Sequence, residues 1–197
     1  MPNVEKQSYA FTALTPIISG RTEGVIHVAE LRSVLARLCA AAQGPFVRVP
    51  GTHFARWCII DDVPQFGFPT HADHLKSRYL MLEADFDGDR DAWLDALFAA
   101  APDALRDIYA HCVGFPGLRD AARFRTYLVS CQLETTLDFA PFAQWPLPTV
   151  MRALDQQRRF VGFARAVQGR SPVELRVAFT DFVRQVREAK TPRAGSM

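Results

Sequence analysis

A chain of 197 residues with 49% hydrophobic side chains is long enough for one domain with a sizeable core, or for one domain with an appendage. Its formal net charge of +2, with acidic and basic residues interspersed, gives no electrostatic footprint for nucleic acid or an anionic membrane. No apolar run is long enough to span a bilayer, residues 1–8 do not read as a signal peptide, and the four cysteines include no C-x-x-C. The expectations are a cytoplasmic location and reduced core thiols, with no zinc ribbon or thioredoxin-type site.

Tyr9–Ile18 predicts a strand, closed by Gly20 and a loop through Gly24. His27–Gln43 then places Val28, Leu31, Val34, Leu35 and Leu38 at helical spacing, and Gly44 with Pro45 stops that helix. Thr52–Asp62, THFARWCIIDD, predicts a second strand. By the period of two, His53, Ala55, Trp57 and Ile59 share one face, and Phe54, Arg56, Cys58 and Ile60 share the other. Asp61–Ser77 is a long loop with two prolines, a glycine and two phenylalanines, a length that usually signals function or mobility.

Tyr79–Asp91, YLMLEADFDGDRD, predicts a third strand running into a helix. Leu80, Leu82, Ala84 and Phe86 form an apolar face that wants helices over it, whereas Tyr79, Met81, Glu83 and Asp85 form a mixed one. Asp87 or Asp89 caps the following helix, whose stripe is Trp93, Leu94, Leu97 and Phe98. Pro102 opens a further helical piece over Asp103–His111, and Arg123–Glu134 predicts a fourth strand.

That order is the α+β, ferredoxin-like βαββαβ unit over residues 1–137. Residues 138–190 predict an aromatic, proline-rich connector and two additional C-terminal helices, the second opened by Ser171, Pro172 and Glu174 as a capping box. Residues 191–197 predict a disordered tail. A four-stranded sheet with helices on one face leaves its other face to be shielded, by the C-terminal helices or by a second copy in a homodimer. In either case Arg56 and Glu83 are expected to line an enclosed space of the kind that takes a small molecule.

The segments THFARWCIIDD, YLMLEADFDGD and IYAHCVGFPG, with a weaker echo at FAPFAQWPLPTV, resemble ferredoxin-like proteins of the dimeric α+β barrel superfamily, some of them peroxidase-like. The resemblance covers roughly Ala10–Glu134. Relatives by fold include dye-decolourising peroxidases, chlorite dismutases and cofactor-free monooxygenases, so it implies an oxidoreductase, with haem or without a cofactor. It carries no catalytic residue across, and Phe86–Gly88 lacks the preceding glycine of the peroxidase G-x-x-D-G pattern.

The candidate catalytic residues are Arg56, Glu83 and His111, and the candidate haem-binding residues are His53 and His111. Arg56 and Glu83 can meet across antiparallel strands, Arg56 orienting an anionic group while Glu83 or His111 moves protons. His111 ends a helix, where an imidazole serves equally as an axial ligand, a general base or a plain complement to the helix dipole. His53 beside Arg56 suits peroxide cleavage, and it equally suits a structural hydrogen bond at a strand edge. His71, Asp73 and His74 form a compact cluster that reads as a solvated loop rather than a metal centre. Asp85, Asp87, Asp89 and Asp91 alternate as in a calcium loop but fail the EF-hand positions for glycine and glutamate, so no metal is assigned.

No G-x-S-x-G, Walker A or dinucleotide fingerprint is present. Two functions remain open. One is an oxidoreductase-type enzyme acting on a small, largely apolar molecule at the open sheet face. The other is a non-catalytic small-ligand-binding or dimerisation module.

Overall fold

In the computed structural model, residues 3–41, 44–63 and 74–192 are described. The sheet is built from β1 (Val4–Glu5), β2 (Ser8–Pro16), β5 (Thr52–Ile60), β6 (Tyr79–Asp87) and β7 (Gln132–Leu133), and a two-stranded ribbon from β3 (Arg21–Thr22) and β4 (Val25–Ile26). Among the described residues six α-helices accompany them: α1 (His27–Ala40), α2 (Arg90–Ala100), α3 (Pro102–Tyr109), α4 (Ala121–Ser130), α5 (Leu147–Ala166) and α6 (Pro172–Glu188). Every strand pairing is antiparallel. β6 lies between β2 and β5, while β1 and β7 share the far edge of β2.

The alternation in β6 decides which way the sheet faces. Leu80, Leu82, Ala84 and Phe86 are buried, and their intervening neighbours are half-buried. Opposite them on β2, Phe11 and Ala13 are also buried, and across β5 the register sets Trp57 against Leu82 and Ala55 against Ala84. Helices cover this face with Leu31 and Val34 of α1, Trp93, Leu94 and Leu97 of α2, Leu105, Ile108 and Tyr109 of α3, and Phe124 and Leu128 of α4. Each large side chain taken out of water here contributes about 1.5–3 kcal/mol. The indoles inside are not orphaned: Trp57 Nε1–H donates to the Tyr109 hydroxyl at 3.2 Å, and Trp93 Nε1–H donates to Thr52 Oγ1 at 2.9 Å.

Two sequence expectations are corrected. Arg123–Glu134 is not a strand, because residues 121–130 form α4 and only Gln132–Leu133 pair with β2. Asp120 caps that helix by accepting from Ala122 N–H at 3.0 Å, and Phe124 and Leu128 then fall one turn apart on its buried side. His53, moreover, does not share the Trp57 face. The register shifts between Thr52 and Phe54, a bulge that turns the imidazole toward Asp87. Gly51 makes this possible: it sits at φ +74°, and a Cβ there would come within 3.3 Å of Asp87 Cβ.

The edge shared by β1 and β7 is stitched by Asn3, which is buried. Its Nδ2 donates to Ala10 O at 3.1 Å and Leu133 O at 3.3 Å, and its Oδ1 accepts from Thr135 N–H. Residues 138–144 stay with this body: Ala140 N–H donates to Glu5 Oε2, Gln7 N–H donates to Ala143 O, and Ala140 and Ala143 are buried. The chain accordingly divides into Met1–Gln144 and Trp145–Met197.

The second unit is an α5–α6 pair joined by stacked phenylalanines, Phe163 lying 4.7 Å from Phe182 between ring centres. Ser171 and Glu174 form the expected capping box of α6. No residue of α5 or α6 is buried. Among the described residues, no helix is long and apolar enough to cross a membrane. The expected tail beyond Pro192 lies outside the described residues.

Candidate functional site

The candidate residues named from sequence fall in three places rather than one. Arg56 and Glu83 are directly opposite in the β5–β6 register, with Arg56 Nε donating to Glu83 Oε2 at 2.6 Å. The pair lies on the open face with its side chains 56% and 34% exposed, so among the described residues of its own unit it lines no enclosed space. Phe54 extends the same face, its ring 5.6 Å from the Arg56 guanidinium carbon.

His53 occupies the Ser8 end of that face. Its Nε2 lies 2.8 Å from Asp87 Oδ1, and its ring stacks on Phe142 at 4.5 Å. Between the two pairs stands Asp85. Burial first, then the nearby Asp138 and Glu83 carboxylates, push its carboxyl above the ordinary range, with His53 pulling the other way. Asp138 is raised as well, by burial and then by Glu5. Its Oδ2 and the Ser8 hydroxyl are both buried without a hydrogen-bond partner.

His111 sits elsewhere. It follows α3 on the helix-covered side, where its neighbour Cys112 bridges Ile17 just beyond the far end of β2. Its Nδ1 is 3.1 Å from Nδ1 of His27, the first residue of α1, so one ring must donate and the other accept. Burial, then the neighbouring His27, lowers the His111 pKa, opposed by Glu30 and Asp107.

β2 is nine residues long, which separates its His53 end from its His111 end by roughly 27 Å. His53 and His111 therefore cannot flank one porphyrin, and His111 cannot share a substrate with Arg56 and Glu83 across the sheet. This corrects the expectation of a common site and leaves no haem-binding pair to build a step on.

One cleft formed by described residues is announced by no single motif. It holds about 540 Å³ between Ile17–Val28 on one side and Asp61–Asp62 with His74–Arg78 on the other. Ile17, Ile18, Ile26 and Val28 supply an apolar side, and Arg21, Asp61, Asp62, His74, Lys76 and Arg78 supply charge. The acids here are already engaged. Asp61 pairs with Arg32 and Arg78, while Asp62 accepts from the Leu75 and Val63 amides and lies 2.7 Å from His74 Nδ1. Those hydrogen bonds, that of His74 foremost, hold the Asp62 carboxyl down to about 2. Arg21 and Lys76 have no acidic partner among the described residues.

His71 and Asp73 of the loop cluster lie outside the described residues, and among those described no three His, Cys, Asp or Glu side chains converge as metal ligands. Asp89 is the cap of α2, and Asp91 pairs with Arg90 and Arg125. All four cysteines are unpaired. Sequence reasoning missed His27, Asp138 and the Arg21–Lys76 cations, because each acquires meaning only from a neighbour far along the chain. The one available signal was the length of the Asp61–Ser77 loop. Compared with protein-family models, curated proteins and solved structures, the chain matches none.

Proposed function

We propose that this is a ferredoxin-like α+β protein that holds a small, partly apolar anion in the cleft between Ile17–Val28 and the residues Asp61, Asp62 and His74–Arg78. The ferredoxin-like reading is supported by the strand order β7–β2–β6–β5, with α1 connecting β2 to β5 and helices α2 to α4 connecting β6 to β7. One observation carries the ligand: an apolar wall faces two cations, Arg21 and Lys76, that lack acidic partners among the described residues, in a volume suited to small molecules. A carboxylate or phosphate meets those cations while its hydrocarbon part covers Ile18, Ile26 and Val28.

A second reading places oxidoreductase-type chemistry on the open face, and it is favoured by the raised Asp85 and Asp138 carboxyls beside the Arg56–Glu83 pair. In that reading Arg56 orients the substrate, Glu83 and Asp85 hold and move protons, and a second copy of the chain supplies the shielding that exposed Phe54 and Arg56 lack.

One titration separates the two. Decanoate should bind at least tenfold more tightly than decanol, and Arg21→Ala with Lys76→Ala should remove that preference while Glu83→Gln leaves it intact. Equal binding of acid and alcohol by the unaltered protein sinks the cleft reading. Loss of decanoate binding in Glu83→Gln alone moves the site to the open face.

A further inference from the structure

We infer that residues 138–144 are a strap across the Ser8 end of the open sheet face, closed in acid and released as pH rises, with Asp138 as its latch. The strap is tied down at a few points within the first unit. Ala140 N–H donates to Glu5 Oε2 at 2.7 Å, Gln7 N–H donates to Ala143 O at 3.1 Å, Lys6 Nζ donates to Gln144 Oε1 at 3.4 Å, and Phe142 stacks on His53.

Its side chains run against the usual rule of burial. Leu137 and Phe139 are 86% and 79% exposed, whereas the Asp138 carboxyl between them keeps Oδ2 buried without a hydrogen-bond partner. Leaving two large apolar groups in water and burying an unpartnered carboxyl oxygen both cost free energy, which narrows the gap between the closed strap and a released one.

The sheet beneath offers that acid little relief. The register sets Ser8 between Glu5 of β1 and Asp87 of β6, and Asp85 and then Glu83 are the next residues of β6 on the same face. Ser8 is 1% exposed, and its hydroxyl is also unpartnered. The basic groups of this region are engaged with other residues: Arg56 with Glu83, His53 with Asp87 and Lys6 with Gln144. A protonated carboxyl is a donor in a region of acceptors, while Asp138 and Asp85 ionised together are like charges under cover. The raised values of both carboxyls agree, with burial the first cause in each; the Phe139 amide opposes the rise at Asp138, and His53 opposes it at Asp85. The closed strap thus holds fully below the ordinary carboxyl range and weakens as pH rises through the raised values. Release lifts Phe142 from His53 and admits water to Ser8 and Asp85.

Amide exchange of the full chain, read residue by residue from pH 5 to pH 8 and corrected for the intrinsic pH dependence of exchange, tests the device. The Ala140 and Gln7 amides should lose protection several-fold across that range relative to the Leu82 amide of β6. Asp138→Asn should remove most of this loss, and Asp138→Asn with Asp85→Asn the remainder. The Leu82 amide in each variant reports that the sheet is still folded. Protection at Ala140 and Gln7 that tracks Leu82 at every pH overturns the inference. A response that survives the double variant and disappears in His53→Gln would make the imidazole the sensor, and overturns it equally.

Discussion

His27 and His111 show what one residue pair does when its two rings share a proton. Two imidazoles 3.1 Å apart cannot both be protonated without placing like charges in contact, and the lowered pKa of His111 expresses this together with its burial. The folded ring gives up its proton more readily than the unfolded one, whose ordinary value is near 6.5. Stability from this pair is therefore complete above about pH 6.5 and is lost as pH falls through the folded value. Glu30 and Asp107, the acids facing His111 from α1 and α3, soften the loss without reversing it. Asp85 and Asp138 act in the opposite sense, since raised carboxyl values withdraw stability as pH rises. Urea unfolding followed from pH 7.5 to pH 5 should show a falling midpoint, and in His111→Gln a shallower fall. The same variant should lose about 1 kcal/mol at pH 7.5, the worth of the ring-to-ring hydrogen bond. An unchanged slope in the variant would show that the pair does not govern acid sensitivity.

At the scale of elements, β6 was legible because its alternation is unbroken and one side of it is wholly apolar. The Arg56–Glu83 pairing could be read for the same reason: two strands with mixed faces had to place their charges opposite each other. Residues 123–134 misled because RFRTYLVSCQLE satisfies both periods. Phe124, Thr126 and Leu128 alternate as in a strand, yet Phe124 and Leu128 are also one helical turn apart. The cap at Asp120 and the packing of both residues into the core decide for the helix. A substitution pair tests the assignment, because the two periods disagree about Thr126. In the helix Thr126 is exposed, its hydroxyl donating to Ala122 O at 2.8 Å, while Leu128 is fully buried. Leu128→Ala should cost about 2–5 kcal/mol and Thr126→Ala within about 0.5 kcal/mol of nothing. A strand would bury the two residues alike, so comparable losses at both positions would refute α4. The bulge at His53 was beyond sequence reading, since one inserted residue reverses a face without changing composition.

For the whole molecule, what matters is where the buried side chains lie. Among the described residues all of them fall between Asn3 and Ala143, and none falls in α5 or α6. Fold stability should therefore reside in the first unit, because burial of apolar surface is the main favourable term and the hairpin supplies little of it. The sequence showed helices after residue 145 from their spacing and capping box. That they remain without a buried face is a tertiary fact that spacing cannot express. A chain ending at Gln144 should unfold cooperatively in urea, with a free energy within about 1 kcal/mol of the full chain's and a similar dependence on urea concentration. Residues 145–197 alone should be only partly helical in water, since helices of 20 and 17 residues with no fully buried side chain gain little from packing. Loss of cooperativity in the 1–144 chain would mean that the hairpin completes the core. Full helicity of the isolated hairpin would mean that its phenylalanine contacts suffice without any surface to lie on.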